Sequence, residues 1–168
     1  FLPTAHHPMS NELTAPELPA IGFASQLADS DRRILSAFGD FLPGHPDQPI
    51  IHEGAEQSSL YFVISGKLHA QTETDGRRVL LGRLGAGDII GEVNIFDPGT
   101  ASATVVPTEF SQLWRLDRFM FDDIVDKEPA VAVKLLTSIA TQLSHRLRET
   151  NEKVTYVKKA LFDPSFLS

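Results

Sequence analysis

The chain has 168 residues, of which 42% are apolar and 22% are charged, and this composition is typical of one globular domain with its own core. Its formal net charge of -7 disfavours attraction to nucleic acid or anionic membranes, because both attract positive charge. The absence of cysteine excludes disulfides, thiolate metal sites and a cysteine nucleophile. With no long apolar run and no secretion signal, we expect a soluble cytoplasmic protein without nucleic acid or membrane as a direct partner.

The first segment, residues 1–22, contains four prolines and no sustained hydrophobic period. This pattern predicts a mobile leader or a loosely docked arm. Apolar residues then recur at helical spacing over residues 25–38, and polar residues at 29–31 offer an N-cap. We therefore expect one or two short helices here, which end at Gly39.

Short runs of β-forming residues, separated by glycine or proline, follow the helical segment. They lie at residues 50–52, 59–65, 67–73, 78–84, 101–107 and 110–116. Strands this short and this regularly interrupted predict an antiparallel sandwich or roll rather than a parallel sheet with crossover helices. The expected fold is mainly β, a double-stranded β-roll (jelly roll) over residues 23–128, flanked by the N-terminal helix and a long C-terminal helix.

The last part of the chain has a helical pattern. A short helix is predicted at residues 119–125, and Pro129 stands where a second helix can begin. Residues 130–161 contain neither glycine nor proline, which predicts one long helix over residues 129–161 and a tail at 162–168.

The long helix has a regular apolar stripe. Its members are spaced alternately four and three residues apart: Leu136, Ala140, Leu143, Leu147, Thr150, Val154, Val157 and Leu161. This spacing is typical of the seam of a two-stranded coiled coil. It predicts a homodimer with contacts through Leu136, Leu143, Leu147, Thr150 and Val154. Charged residues on the other faces, among them Lys134, Arg146 and Arg148, are interpreted as solvated.

The most specific pattern lies between the predicted strands. Residues 87–96 read Gly-Asp-Ile-Ile-Gly-Glu-Val-Asn-Ile-Phe, and residues 101–105 read Ala-Ser-Ala-Thr-Val. This layout resembles the phosphate-binding cassette of cyclic nucleotide-binding domains, the family of the catabolite activator protein. Residues 51–66 and the Gly85-x-Gly87-Asp88 spacing also resemble that family, and the similarity extends over roughly residues 27–163. The resemblance implies an effector domain with a dimerisation helix and without the DNA-binding module.

The resemblance also implies a ligand, which is a cyclic nucleotide (cAMP or cGMP) or a related small anion. Backbone amides near Gly91 can approach a cyclic phosphate because glycine lets the chain come close. In the family a carboxylate like Glu92 binds a ribose hydroxyl, and positions like Thr150 and Asn151 face the base. For Thr150 the alternative is a seam residue that sets register. The candidate ligand-binding residues are Gly91, Glu92, Val93, Asn94, Ser102, Ala103, Thr150 and Asn151.

The cassette departs from the family at one position. The family has an arginine that pairs with the phosphate, whereas this chain has Ala101 there. Loss of such a charged hydrogen bond costs about 2 to 5 kcal/mol, or roughly 30- to 4000-fold in affinity. The basic residues weighed as replacements, all expected to be solvated, are Arg77, Arg78, Arg83 and Arg118.

Two other classes of function were weighed. A metal-dependent catalyst on a β-roll needs converging histidines, typically His-x-His, and the sequence has none. It also has no nucleophile elbow or P-loop, so we expect no enzyme, no catalytic residue and no metal site. Two interpretations stay open. Gly91 and Glu92 favour a divergent ligand sensor, whereas Ala101 favours a dimerisation or scaffold module with a relic pocket.

Overall fold

The computed structural model describes residues 15–162 and Ser165. Most of the predicted leader, residues 1–14, lies outside the described residues. The rest of it is docked, because Leu18 is 2% exposed and its N–H donates to Ser36 Oγ at 2.8 Å. Of the two predicted alternatives, a mobile leader or a docked arm, residues 15–22 take the second, because buried Leu18 anchors the chain to the core.

Two short helices open the domain, as predicted: a 3₁₀ helix at Gly22–Gln26 and α1 at Asp29–Phe38. The predicted polar N-cap is wrong, since Ala28 holds that position without a side-chain bond. The acidic residues lie in the first turn instead, where they suit the positive end of the helix dipole. One of them, Asp31, is buried and accepts a hydrogen bond from Lys134 Nζ at 2.9 Å.

Nine strands occur in the described part of the chain, and every pairing between them is antiparallel. They are β1 (Asp40–Gly44), β2 (Glu56–Gln57), β3 (Ser59–Ser65), β4 (Lys67–Thr74), β5 (Arg77–Gly85), β6 (Ile89–Ile90), β7 (Gly99–Thr100), β8 (Thr104–Pro107) and β9 (Ser111–Asp117). One sheet has the order β1-β9-β3-β6, a second has β5-β4-β8, and β2 pairs with β7. The predicted antiparallel β-roll is confirmed.

The short and irregular strands differ from the prediction. Residues 50–52 form no strand, and only Ile51 makes an isolated bridge, to Val105. The strand predicted at 101–107 begins at Thr104. β1, β2, β6 and β7 were not predicted, because two-residue strands carry no period and β1 contains Pro43. These strands form where a neighbouring strand offers its backbone groups.

The core lies on both faces of the first sheet, and β3 divides it. Leu60 and Phe62 face a cluster shared with the helices, whereas Tyr61 and Val63 face a cluster shared with the second sheet. Because successive side chains of a strand point to opposite faces, this one strand supplies both clusters. The sheet is thus the middle layer, with helices on one side and the second sheet on the other.

Three further helices complete the domain: α2 at Glu92–Phe96, α3 at Arg118–Lys127 and α4 at Pro129–Phe162. Helix α4 begins at the predicted proline. Its first turns pack on the body through Val131, Ala132, Leu135 and Ile139. Residues 147–159 are all exposed. Within the described residues, no helix is both long enough and apolar enough to span a membrane.

Candidate functional site

A cavity of about 200 Å³ opens between the two sheets and is bordered by helix α4. The described residues that line it come from both sheets, the cassette and α4: Ile51, Gln57, Ala70, Leu84, Ile89, Ile90, Gly91, Asn94, Ala101, Ser102, Ala103, Val105 and Arg146. Most of the lining is aliphatic, and Gln57, Asn94, Ser102 and Arg146 add polar or charged groups. Such a lining suits a small ligand that carries both an apolar part and a polar or charged group.

The turns of the cassette fix one wall of this cavity. Before β6, the Asp88 carboxylate accepts a hydrogen bond from Gly85 N–H at 2.8 Å and closes the turn. After β6, Gly91 has a φ of +75°, and a Cβ added there would lie 2.5 Å from Ser59 O. Asn94 N–H then donates to Gly91 O at 3.0 Å. Glycine is thus required at 91 both for its backbone conformation and for its contact with β3.

Ala101 is held at the cavity by its own backbone. Its N–H donates to Ala55 O and its carbonyl accepts from Gly54 N–H, both at 2.8 Å. Ala101 is 7% exposed and belongs to the apolar cluster that contains Ile51 and Val105. The position that carries arginine in the family therefore contributes apolar surface to this wall of the cavity.

Arg146 is the cationic member of the described lining, and it comes from α4. Its Nη2 donates to Ile89 O at 2.9 Å. The interpretation of Arg146 as a solvated residue is therefore wrong. The sequence could have predicted this position. Leu135, Ile139 and Arg146 are separated by four and seven residues, so they share the body-facing side of the helix.

The basic residues weighed as replacements do not line the cavity. Arg77, Arg78 and Arg83 are exposed, as expected. Arg118 is bound elsewhere, with Nε donating to Asp122 at 2.9 Å and Nη1 donating to Ile95 O at 3.3 Å.

Arg115 is a further cation held away from the cavity, in a structural contact. Its hydrogen bond to Asp40, 2.7 Å long, is the main cause that raises the pKa of its guanidinium. The pair joins β9 to β1, and Arg115 is not part of the cavity lining.

The predicted ligand-binding residues fall into three groups. Gly91, Asn94, Ser102 and Ala103 line the cavity together. Glu92 and Val93 begin α2, and their side chains lie outside what the structure describes.

Thr150 and Asn151 form the third group and lie away from the cavity. Thr150 is exposed and donates its hydroxyl to Arg146 O at 2.9 Å. Asn151 borders a shallow groove further along α4. Within one chain, therefore, Arg146 of α4 lines the cavity. The next turn of the helix, with Thr150 and Asn151, extends past the body and does not line it.

A metal site is not formed by the described residues, which contain no group of three or more His, Asp or Glu side chains placed to hold an ion. The histidines that the structure describes are dispersed. His69 lies on the outer side of the second sheet, beside Gln71 and Arg78, and His145 borders a groove next to Phe23.

Comparisons with known proteins show which family the chain belongs to. The family model of the cyclic nucleotide-binding domain matches residues 44–128, just over half of the chain. The cAMP-activated global transcriptional regulator CRP of Haemophilus influenzae is 29% identical over 153 residues, which are 88% of this chain and 66% of that protein. The crystal structure of Thermus thermophilus catabolite activator protein superposes with a TM-score of 0.70 at 26% identity, covering 81% of this chain and 62% of that chain.

A lysophospholipase, NTE1 of Coccidioides immitis, is 28% identical over 107 residues, which are 63% of this chain but 7% of that protein. The match is confined to a short segment of that protein, so it does not indicate the lysophospholipase activity for this chain. The chain spans less than two thirds of the length of these relatives, 66% of the Haemophilus influenzae regulator and 7% of the lysophospholipase. The match to the family description, the fold and the cassette agree, and the chain belongs to the cyclic nucleotide-binding domain family.

Proposed function

We propose that this chain is a regulatory ligand-sensing domain that binds a cyclic nucleotide, cAMP or cGMP, in the cavity between its two sheets. The observation that carries the proposal is the convergence of the cassette residues Gly91, Asn94, Ser102 and Ala103 on one cavity that α4 borders. The relatives from Haemophilus influenzae and Mycobacterium tuberculosis are named as cAMP-activated regulators, which makes cAMP the first ligand to test.

The sensor is divergent at its phosphate site, because Ala101 presents a methyl group where the family has an arginine. The ligand contacts proposed from the sequence remain Gly91, Glu92, Val93, Asn94, Ser102 and Ala103. Thr150 and Asn151 lie on the exposed part of α4, outside the cavity lining. They are proposed to contact a ligand that extends beyond the cavity or one that is bound by a second chain.

Signalling is proposed to run through α4, which borders the cavity and carries the apolar stripe of the predicted homodimer. A ligand shifts such a system only if it binds one arrangement of the helix better than the other. The proposed division of the chain is a β-roll at 23–128, a dimerisation helix at 129–161 and a tail at 162–168. The chain is proposed to act in the cytoplasm and without catalysis.

A second candidate function has an observation of its own. Ala101 is buried with Ile51 and Val105, so this wall of the cavity is apolar and continuous with the core. An apolar wall favours a dimerisation or scaffold module whose pocket is a relic. The two candidates differ in whether any nucleotide binds.

Calorimetric titration of the purified chain with cAMP and cGMP at physiological salt tests the proposal. We expect binding at micromolar concentration and a rise in the unfolding temperature, because a ligand that binds the native state stabilises it. Absence of binding heat and of thermal stabilisation at millimolar nucleotide would overturn the proposal of a ligand sensor and support that of a scaffold module.

Matched variants separate binding in the cavity from binding elsewhere. Ala103→Phe fills the cavity and is expected to abolish binding, since Ala103 is part of the lining. Ala86→Phe makes the same change at an exposed turn and is expected to retain binding. Equal binding by both variants would exclude the cavity as the site.

A further inference from the structure

We propose that the groove between the 3₁₀ helix and α4 is a second ligand-binding site, which takes an uncharged molecule that carries a ring and an amide group. This helix groove is formed by residues within 22–26 and 137–145. Its volume of about 390 Å³ exceeds the 200 Å³ of the cavity between the sheets. It also falls in the range of about 300–1,000 Å³ that is usual for small-molecule sites.

The helix groove lies on a different side of α4 from the predicted seam and from the cavity. Thr141 and His145 border the groove, and each is two residues from Leu143 of the seam. Residues two apart on a helix point in nearly opposite directions. Thr141 is also five residues from Arg146, a rotation of about 140° from the side that borders the cavity. A ligand in the groove therefore competes neither with the predicted dimer contacts nor with a nucleotide.

The wall that the 3₁₀ helix provides is fixed by contacts with the body. Phe23 is 4% exposed, and its ring packs edge-on against Phe62 with the ring centroids 4.9 Å apart. A Cβ added at Gly22 would clash with Gly87 O, so the 3₁₀ helix begins in direct contact with the cassette. A wall that is already ordered lowers the entropy cost of binding.

The hydroxyl groups of the lining present acceptors to a ligand. Thr137 Oγ1 donates to Val133 O and Thr141 Oγ1 donates to Thr137 O, both at 2.8 Å. Ser25 Oγ donates to Gly22 O at 2.7 Å. Because each hydroxyl has one proton and uses it on a backbone carbonyl, its remaining lone pairs only accept hydrogen bonds. A matching ligand therefore supplies hydrogen-bond donors.

Gln142 adds a carbonyl oxygen without a partner. Its Oε1 is shielded from solvent and accepts no hydrogen bond from the part of the chain that the structure describes. An acceptor buried in this way is unfavourable, because it has lost its bond to water. Since the last torsion of a glutamine side chain is broad, the amide can turn towards the groove that it lines. An amide ligand matches it, because the ligand's N–H donates to Oε1 and its C=O accepts from Nε2.

The charge of the lining selects against an ion. Among the described residues that line the groove there is no lysine, arginine, aspartate or glutamate. An ion that leaves water here would meet no fixed charge of opposite sign to offset its desolvation. Phe23 adds aromatic surface to the wall, which suits a ring. The lining thus favours an uncharged ring with an amide over a phosphate, a carboxylate or an ammonium ion.

Nicotinamide is the probe for this chemistry, and nicotinate is its matched control. Nicotinamide is uncharged and carries an amide N–H, whereas nicotinate has the same ring with a carboxylate that donates no hydrogen bond. Each is titrated into the full chain and followed by NMR of the backbone amides. We expect nicotinamide to bind at millimolar concentration and to shift signals within residues 22–26 and 137–145. We expect nicotinate to leave these signals unchanged.

Two glutamine variants test the contact with Gln142. Gln142→Leu removes the amide and is expected to weaken nicotinamide binding about tenfold, the effect of one or two lost hydrogen bonds. It is also expected to keep or raise the unfolding temperature, because the unpaired acceptor is removed, whereas a purely structural role predicts a lower one. Gln48→Leu makes the same change at an exposed loop position outside the lining and is expected to bind as the unchanged chain does.

Three results would overturn the inference. One is the absence of saturable shifts with nicotinamide, or shifts that occur at the cavity residues 101–103 instead of the groove. The second is equal binding of nicotinate, which would exclude the amide chemistry. The third is equal nicotinamide affinity in Gln142→Leu and the unchanged chain. None of them depends on whether a cyclic nucleotide binds in the cavity, so the inference and the proposed function fail separately.

Discussion

Gly91 illustrates how a single residue decides the shape of the cavity. Its left-handed backbone conformation, at a φ of +75°, turns the chain from β6 into α2, and its missing side chain lets the turn lie against Ser59 O. Gly76 has nearly the same φ, +73°, but open space around the position of a Cβ. The two glycines therefore separate the effect of backbone conformation from the effect of a close contact.

We expect Gly91→Ala to lower the free energy of unfolding by about 2–4 kcal/mol and Gly76→Ala by about 1 kcal/mol, because both strain the backbone but only the first adds a clash. Urea unfolding followed by the fluorescence of Trp114, the single tryptophan, measures both at equal protein concentration. Equal losses in the two variants would show that the contact with Ser59 does not matter.

At the scale of elements, α4 has two different halves. The first packs on the body through Leu135 and Ile139, and the second is exposed over residues 147–159. The predicted dimer stripe crosses this boundary. Leu143 packs partly against the core of its own chain, whereas Leu147 is 62% exposed. A substitution at Leu147 therefore tests association without removing a core contact.

We predict that the unchanged chain is a dimer and that Leu147→Lys is a monomer of 18.5 kDa, since a charge in the predicted seam is not neutralised by the partner helix. Sedimentation equilibrium measures the mass. His145→Lys is the control, because residues two apart on a helix point in nearly opposite directions. A dimer that persists in Leu147→Lys contradicts the coiled-coil prediction.

The whole molecule is a layered domain from which half a helix extends. The core clusters lie within the two sheets, the N-terminal helices, α3 and the first half of α4. Residues 147–159 contribute to neither cluster, so they have no role in holding the layers together. The fold of the domain is therefore separable from the predicted association through this part of α4.

A chain that stops at Arg148 is expected to fold as a monomer with a cooperative thermal transition. Its midpoint is predicted not to depend on protein concentration, whereas that of the full chain rises with concentration because association stabilises the native state. Differential scanning calorimetry over a hundredfold range of concentration makes the comparison. Loss of the cooperative transition on truncation would mean that the exposed half of α4 is needed for folding.

The sequence by itself determined the features that depend on local patterns. β3 was predicted at its observed bounds because five consecutive apolar residues, 60–64, are bounded by serines and a glycine. Helix α4 was predicted within about one residue at each end because no glycine or proline interrupts it after Pro129. The cassette was identified by its resemblance to the family, and its glycines are part of that pattern because a turn with a positive φ leaves few residue types to choose from.

The tertiary structure decided what depends on contacts between distant parts of the chain. Strands β6 and β7 have two residues each, so they carry no pattern and exist because β3 and β2 pair with them. Arg146 and Ile89 are 57 residues apart, and only the docking of α4 on the sheet brings them together. Helical periodicity indicates that Arg146 shares a face with Ile139, but the height at which α4 crosses the cavity is set by side-chain packing, which no local pattern encodes.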